Sequence, residues 1–298
     1  NKDALLNIIS NEIFLGSTLN VGQTSGEIFL NVSDGGDIGI VISPEDLDWH
    51  LDSGELTRMY GYNLQIGDDT SGSIAVGSIS PVFTENILND VGMEATADGE
   101  QVVFRGADAI FKKLTTLSDK GIIVQGNLTT TEEDIHLNGD ATGSGGAEAK
   151  IQFYDGVILK SVRDIILEAE SGHLFGDGEL FLEARRDITI KDPLTTQSNL
   201  VINADAPDNS PIVGPVTPSD GEGDFYLIDD GVINATTGYV EITADDVHLD
   251  GPISRADGGV RLYPRTDTNM GLGGTPSGEF DISDAELDRI TTTGTLTI

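Results

Sequence analysis

The chain lacks cysteine entirely, although it is 298 residues long. A disulfide framework and a thiolate metal site are therefore both excluded. The chain also lacks any apolar run near the ~20 residues that a membrane-spanning helix requires, so we expect no membrane insertion within it. Its fold must be held by packing and hydrogen bonding without sulfur cross-links.

Basic residues are also scarce, because 16 Lys and Arg stand against 51 Asp and Glu, for a net charge of −35. Nucleic acids and anionic membranes are bound through basic surface, so neither is an expected partner. Aromatic residues make up only 6% of the chain, and the one tryptophan, Trp49, is interpreted as a packing anchor. The 38% hydrophobic content recurs periodically, which is enough to bury an aliphatic core beneath an acidic surface.

Helical signal is nearly absent as well. The only stretch that suggests a helix is Phe83 to Met93, which is short and contains a glycine. Elsewhere Gly, Asp, Asn and Ser recur at short intervals, which is typical of turns between strands. The chain is therefore expected to be all-β.

One short pattern returns along the chain: two aliphatic residues separated by one position, followed two positions later by a small residue. Such alternation sends neighbouring side chains of a β-strand to opposite faces, so the aliphatic pair points inward together. The first residues of the four clearest copies lie 15, then 20, then 40 positions apart. These copies are Ile165–Leu167–Ala169, Leu180–Leu182–Ala184, Leu200–Ile202–Ala204 and Val240–Ile242–Ala244.

A period near 20, doubled once, predicts a solenoid of short strands in which one coil carries an insertion or a divergent copy. Equivalent residues of successive coils stack about 4.8 Å apart in a parallel β-helix, and a small residue at each corner lets the chain turn without a clash. We therefore predict an all-β, parallel β-helix of about 12 coils. A β-sandwich, which also has short strands at regular spacing, is the alternative fold.

The last residues, ISDAELDRITTTGTLTI from Ile282 to Ile298, resemble the repeat of filamentous haemagglutinin-type β-helix adhesins, the long bacterial exoproteins of two-partner secretion. A related segment lies earlier in the chain, where Glu55 to Met59 parallels Glu286 to Ile290. The resemblance implies a right-handed parallel β-helix, export to the cell surface or the extracellular space, and an adhesive or filament-forming role.

We expect residues 1–298 to form a single continuous β-solenoid segment of a longer protein, stacked end to end on other copies or on further repeats of the same chain. Three stretches break the coil rhythm as insertions, near residues 142–149, 207–224 and 264–279. Loops that leave a rigid scaffold are the usual carriers of recognition, so surface glycans or receptors are the other partners considered.

No residue is assigned a catalytic, cofactor-binding or metal-binding role. Polysaccharide-processing β-helices need acids and bases that converge on one face of the coils. The acidic pairs Asp229–Asp230 and Asp245–Asp246 and the basic pair Arg185–Arg186 do not recur at such a spacing. His136 and His248 occupy equivalent, outward-facing repeat positions, which favours repetition over catalysis. We therefore expect no enzyme.

Calcium is the one ligand considered for the acidic turns. The segments Asp34–Asp37, Gly67–Asp69, Asp220–Asp224 and Asp229–Gly231 offer hard oxygen ligands on flexible backbone. The EF-hand loop and the glycine-rich nonapeptide of calcium-dependent β-rolls are both absent from the sequence. We therefore expect no cofactor and interpret these turns as charged surface, with structural calcium as the alternative.

These observations predict a structural, non-catalytic module of a secreted or cell-surface bacterial adhesin or extracellular filament, acting as a rigid rod. Stacked coils are stiff because each one packs on its neighbours along a single core. The alternative is a carbohydrate-binding or polysaccharide-processing β-helix. A groove lined by aromatic and acidic residues on one face of the coils would favour that alternative.

Overall fold

The described residues are built mostly into short β-strands, which hold 49% of them against 5% in helices. The computed structural model describes residues 4–10, 12–42, 49–106, 108–206, 223–254, 256–265, 269–274 and 280–298. The chain divides into two compact units. Unit 1 contains Asn1–Ile151 and Ala169–Gly172, and unit 2 contains Gln152–Glu168 and His173–Ile298.

Unit 1 begins with short strands and two helices of one turn each. In chain order these are β1 (Leu5–Ile9), β2 (Leu19–Asn31), β3 (Ile38–Ile40), β4 (Trp49–Leu51), α1 (Ser53–Leu56), β5 (Met59–Ile66), β6 (Ile74–Val76), α2 (Pro81–Thr84), β7 (Asp90–Ala95), β8 (Val102–Phe104), β9 (Ala109–Phe111), β10 (Lys113–Ser118), β11 (Gly121–Val124), β12 (Leu128–Thr130) and β13 (Ile135–Asn138). A 3₁₀ turn, Gly146–Glu148, precedes β14 (Lys150–Phe153).

Unit 2 continues with the same kind of strand and a third short helix. The elements are β15 (Val157–Ser161), β16 (Ile165–Glu168), β17 (His173–Gly176), β18 (Leu180–Ala184), β19 (Ile188–Ile190), β20 (Leu194–Thr196), β21 (Leu200–Asn203), β22 (Phe225–Leu227), β23 (Ile233–Ala235), β24 (Val240–Ala244), β25 (Val247–Leu249), β26 (Ile253–Ser254), β27 (Val260–Pro264), β28 (Met270–Leu272), β29 (Phe280–Ile282), α3 (Asp284–Leu287), β30 (Ile290–Thr291) and β31 (Leu296–Thr297).

The predicted parallel β-helix is confirmed by three long parallel sheets of ten, eleven and eight strands, here named the first, second and third sheets. In unit 2 the chain visits them in a fixed order. Strands β19, β20 and β21 lie in the first, second and third sheets, and β22, β23 and β24 repeat that order one coil later. The right-handed winding and the continuity of the whole segment stay predictions.

Buried aliphatic columns run through the third sheet of unit 2. Leu180 pairs with Leu200, Leu200 with Val240, and Val240 with Val260. All four side chains are 0% exposed. Burying one such side chain contributes about 1.5–3 kcal/mol relative to leaving it in water. The repeated triplet is therefore the unit from which this core is built.

One of the four triplets lies in a different sheet from the rest. Ile165 pairs with Ile188 in the first sheet, whereas Leu180 lies in the third. The 15 residues between Ile165 and Leu180 therefore separate two faces of one coil, and they are not a coil period.

The spacing of 40 residues is a single coil with an insertion, because Leu200 pairs directly with Val240. Of the insertion predicted at 207–224, residues 207–222 lie outside the described part of the chain. The insertion predicted at 264–279 contains β28, and its residues 266–268 and 275–279 also lie outside the described part.

The helix suggested by residues 83–93 is wrong for most of that stretch. Helix α2 ends at Thr84 and strand β7 begins at Asp90, because the aliphatic residues there alternate and are drawn into the first sheet. Helices α1 and α3 were not predicted from the sequence, although each carries a capping box, which is a known signature of a helix start. No helix in the described part of the chain has the length and apolar character needed to cross a membrane.

Candidate functional site

The first sheet of unit 1 carries a groove of about 120 Å³ on its outer face. Strands β2, β5 and β7 form it, since alternation buries Ile28, Leu64 and Val91 and turns their neighbours outward. The groove lies between two rows of these outward residues. The first row is Glu27, Asn63 and Asp90, and the second is Phe29, Gln65 and Gly92.

The first row of the groove keeps unused polar atoms. Oδ1 of Asn63 accepts the backbone N–H of Asp90 at 3.4 Å and Nδ2 of Asn89 at 2.9 Å, which leaves the NH₂ group of Asn63 as a donor. Oδ2 of Asp90 accepts Oγ1 of Thr115 at 2.8 Å. Oδ1 of Asp90 is buried without a hydrogen-bond partner among the described residues. The Glu27 carboxylate likewise has no partner in the described part of the chain.

The second row of the groove owes its shape to a glycine. A Cβ atom at Gly92 would stand 2.0 Å from Oε1 of Gln65, so the Gln65 side chain lies across this position. Nε2 of Gln65 donates to Oε2 of Glu94 at 3.2 Å, which leaves Oε1 as an acceptor. The half-buried ring of Phe29 completes the row.

The same sheet in unit 2 carries an aspartate ladder instead of a groove. Oδ1 of Asp164 accepts the backbone N–H of Asp187 at 3.2 Å, and Oδ1 of Asp187 accepts that of Asp224 at 3.0 Å. Oδ1 of Asp246 accepts the N–H of Asp281 at 2.9 Å. Each of these carboxylates thus bonds the backbone of a later segment, so the ladder fastens successive layers of unit 2 together.

Two aromatic rings stack beside this ladder. Tyr226 and His248 are paired in register, with ring centroids 4.6 Å apart and planes at 22°. The Tyr226 hydroxyl donates to Oδ2 of Asp224 at 2.9 Å. Nε2 of His248 lies 3.6 Å from that same oxygen and 3.9 Å from Oδ2 of Asp246. The imidazole is therefore held between carboxylates from two coils.

These contacts shift the acid–base behaviour of the cluster. The close contact with the Asp224 carboxylate raises the pKa of His248 above its ordinary value of 6.5. The same contact with His248 holds the pKa of Asp224 below its usual range. Burial raises the pKa of both Asp187 and Asp246. The arrangement therefore favours a charged imidazolium paired with the Asp224 carboxylate.

This cluster was not predicted from the sequence. Asp245–Asp246 and His248 were considered, but no spacing was expected to place an acid and a base on one face. The structure adds Asp224, which lies one coil before His248 at the end of the insertion between β21 and β22. The available signal was an Asp directly before strands β22 and β25 in successive coils. His136 faces outward from β13, between buried Ile135 and Leu137, as predicted.

The two related segments found in the sequence form the same clamp around one backbone residue. In unit 1 the N–H of Leu15 donates to Oε1 of Glu55 at 3.1 Å, and Nη1 of Arg58 donates to the Leu15 carbonyl at 2.8 Å. In unit 2 the N–H of Leu249 donates to Oε1 of Glu286 at 3.3 Å. Nη1 of Arg289 donates to the Leu249 carbonyl at 2.6 Å.

The insertion at 142–149 is fixed by two buried carboxylates. Asp119 and Asp140 are 1% and 0% exposed. Asp119 accepts hydrogen bonds from the hydroxyls of Thr142 and Ser144. Asp140 accepts the N–H of Gly145 at 3.0 Å. These hydrogen bonds tie the insertion to unit 1 and occupy both carboxylates.

The turns considered for calcium use several of their carboxylates locally. Oδ1 of Asp68 accepts the N–H of Thr70 at 2.9 Å, and Oδ1 of Asp37 accepts a backbone N–H at 2.9 Å. Asp229–Asp230 is exposed in a turn, and residues 220–222 lie outside the described part. Among the residues that the structure describes, no group of three or more His, Cys, Asp and Glu side chains could hold a metal ion.

Trp49 and the basic pair Arg185–Arg186, which were also considered in the sequence, lie at structural positions. Trp49 is 2% exposed in β4, at the edge of the second sheet, which fits its interpretation as a packing anchor. Nε of Arg186 lies 3.9 Å from Oδ1 of Asp164, so the basic pair Arg185–Arg186 borders the aspartate ladder.

Comparison with known proteins gives no relative: no protein-family model, no curated protein and no solved structure matches this chain.

Proposed function

We propose that this chain is a structural, non-catalytic module of a secreted or cell-surface bacterial adhesin or extracellular filament. Within each unit the stacked coils act as a stiff spacer. Its partners are further repeats of the same chain or other copies of it, joined along the direction in which the coils stack.

The observation that carries this proposal is the in-register aliphatic column of the third sheet. Leu182, Ile202, Ile242 and Leu262 follow one another in paired strands, and all are 0% exposed. Each coil therefore buries its apolar residues against the next coil, and the backbone bonds of parallel strands run along the stack. Such a stack resists bending and pulling without any reactive site.

The surface charge supports an exposed location and end-on association. A net charge of −35 makes laterally adjacent copies repel one another and keeps the protein soluble. Zero cysteines make folding independent of the redox state of the surroundings. Both properties suit a module that folds outside the cell.

Single-molecule pulling on the whole chain tests the mechanical role. We expect distinct unfolding peaks, and Leu182→Ala should lower the peak force because it leaves a cavity in the buried column. Phe181→Ala is the matched control, since Phe181 is the adjacent, outward-facing residue of the same strand. A chain that extends without force peaks, or that responds equally to both variants, would argue against a load-bearing stack.

We also propose carbohydrate binding as a second function, which a separate observation supports. The outer face of the first sheet in unit 1 combines an aromatic ring with acidic and amide side chains around a groove. That composition is the one expected of a saccharide-binding β-helix. The binding and the structural roles are compatible, because the two rows of the groove are outward residues and the aliphatic core lies on the other face of the sheet.

A further inference from the structure

We propose that the groove of unit 1 binds one ring of a neutral saccharide, through Glu27, Asn63 and Gln65, with Phe29 beneath the ring. The proposal rests on the carbohydrate-binding function and names its site and its ligand class.

The unused polar atoms select a hydroxyl-bearing ligand. The Glu27 carboxylate and Oε1 of Gln65 can only accept hydrogen bonds, whereas the NH₂ group of Asn63 can only donate them. A sugar hydroxyl both donates and accepts, so it satisfies both kinds of group. A metal ion or an ammonium group accepts nothing and would leave the Asn63 donor unmatched.

The charge of the groove selects against acidic sugars. Glu27 and Asp90 are both carboxylates on a chain of net charge −35, so a uronate or a sialylated glycan would be repelled. Nζ of Lys113 lies 3.5 Å from Oδ2 of Asp90, and among the described residues no other basic side chain pairs with this row. A neutral saccharide avoids that repulsion.

The size of the groove limits the ligand. Three strands at a spacing of about 4.8 Å span about 10 Å, which is the reach of a short oligosaccharide. The volume of about 120 Å³ accommodates little more than one ring. Drug-sized ligand pockets are several times larger, at ~300–1,000 Å³. We therefore expect weak binding, because the groove contacts little more than one sugar ring.

Saturation-transfer NMR with the whole chain tests the proposal. The probes are cellotetraose, mannotetraose and tetra-N-acetylchitotetraose, with tetragalacturonate, calcium chloride and a tetralysine peptide as competing alternatives. We expect transfer to at least one neutral saccharide and at least a fivefold loss of signal in Phe29→Ala and in Glu27→Gln. Glu27→Gln is the milder change, so it serves if Phe29→Ala does not fold.

Phe181→Ala is the matched control, because Phe181 is also a half-buried, outward-facing phenylalanine but lies on the third sheet of unit 2. It should leave transfer unchanged. If a neutral saccharide binds and both groove variants retain binding, the groove assignment is wrong while carbohydrate binding stands. If tetragalacturonate is the one saccharide that shows transfer, the neutral ligand class is wrong while carbohydrate binding stands. If no saccharide shows transfer, the ligand class and the carbohydrate-binding function both fail.

Discussion

The clamp of unit 1 and the clamp of unit 2 have the same chemistry but different burial. Both use a capping-box glutamate and an arginine three residues later to hold the N–H and C=O of one leucine. In α1, Glu55 and Leu56 are buried, at 4% and 2% exposure, whereas no residue of α3 is buried. Local sequence thus determines the clamp, and the surrounding layers determine how much stability it gives.

Truncating the leucine of each helix should separate the two clamps most strongly. Leu56→Ala should lower the free energy of unfolding of unit 1 by about 2–5 kcal/mol, because it leaves a cavity in a packed site. Leu287→Ala should cost less than about 1 kcal/mol, since the half-buried side chain can be replaced by water. Far-UV circular dichroism in a denaturant titration follows the strands of both units, so it measures the effect of both variants.

In that titration the midpoint should fall for Leu56→Ala and stay in place for Leu287→Ala. Equal shifts for the two variants would show that the difference in burial has no energetic consequence.

Removing the arginines should have a smaller and more similar effect. Arg58→Ala and Arg289→Ala each delete a hydrogen bond from a charged donor to a backbone carbonyl, worth about 1.5–3 kcal/mol. The amide protons of Leu15 and Leu249 should therefore exchange with solvent about tenfold faster, since 1.4 kcal/mol corresponds to a factor of ten. Hydrogen-exchange NMR measures both.

Replacement by lysine is the control for these arginines. Arg58→Lys keeps the charge but loses the planar guanidinium, so it should recover only part of the protection. Full recovery with lysine would mean that charge alone, rather than the paired clamp geometry, holds Leu15.

The smallest expected effect is a pH dependence of the stability of unit 2 around His248. Because the pKa of His248 is raised above 6.5, its contact with Asp224 contributes fully below pH 6.5. That contribution is lost as the pH rises through the folded-state pKa. The imidazole is 42% exposed and therefore screened by solvent, so the effect should stay below about 1 kcal/mol.

Local exchange rates in β25, followed from pH 6 to pH 9, measure this effect. His248→Gln should flatten the profile, and His136→Gln, at the matching position of unit 1, should leave β25 unchanged. If the exchange rates of β25 in His248→Gln keep the pH dependence of the unaltered protein, the His248–Asp224 ion pair is not its cause.

Sequence pattern alone predicted which residues face inward, but not which sheet they join. Ile165 and Leu180 begin nearly identical triplets, yet they lie in the first and the third sheets. Alternation fixes only the face of a strand, and all three sheets use the same alternation. The assignment of a strand to a sheet depends on turn lengths, which vary with every insertion.

The outer-face clusters were harder to predict because they join residues from separate coils. Asp224 and His248 are 24 residues apart and meet only when the register is known. The groove of unit 1 is more dispersed still, since Glu27, Asn63 and Asp90 come from three strands. The clamps were recognisable as related segments because each helix, with its capping box and its arginine, lies in one short stretch of sequence.

Disulfide trapping across the interrupted coil tests the in-register stack most directly, since the chain has no native cysteine. Val201 and Glu241 are paired outward neighbours in the third sheet, whereas Arg261 lies one strand further on. Cα atoms two strands apart, at about 9.6 Å, are too distant for a disulfide. The pair Val201→Cys and Glu241→Cys should oxidise readily, and Val201→Cys with Arg261→Cys should not. Cross-linking of the second pair in preference to the first would contradict the stacked register.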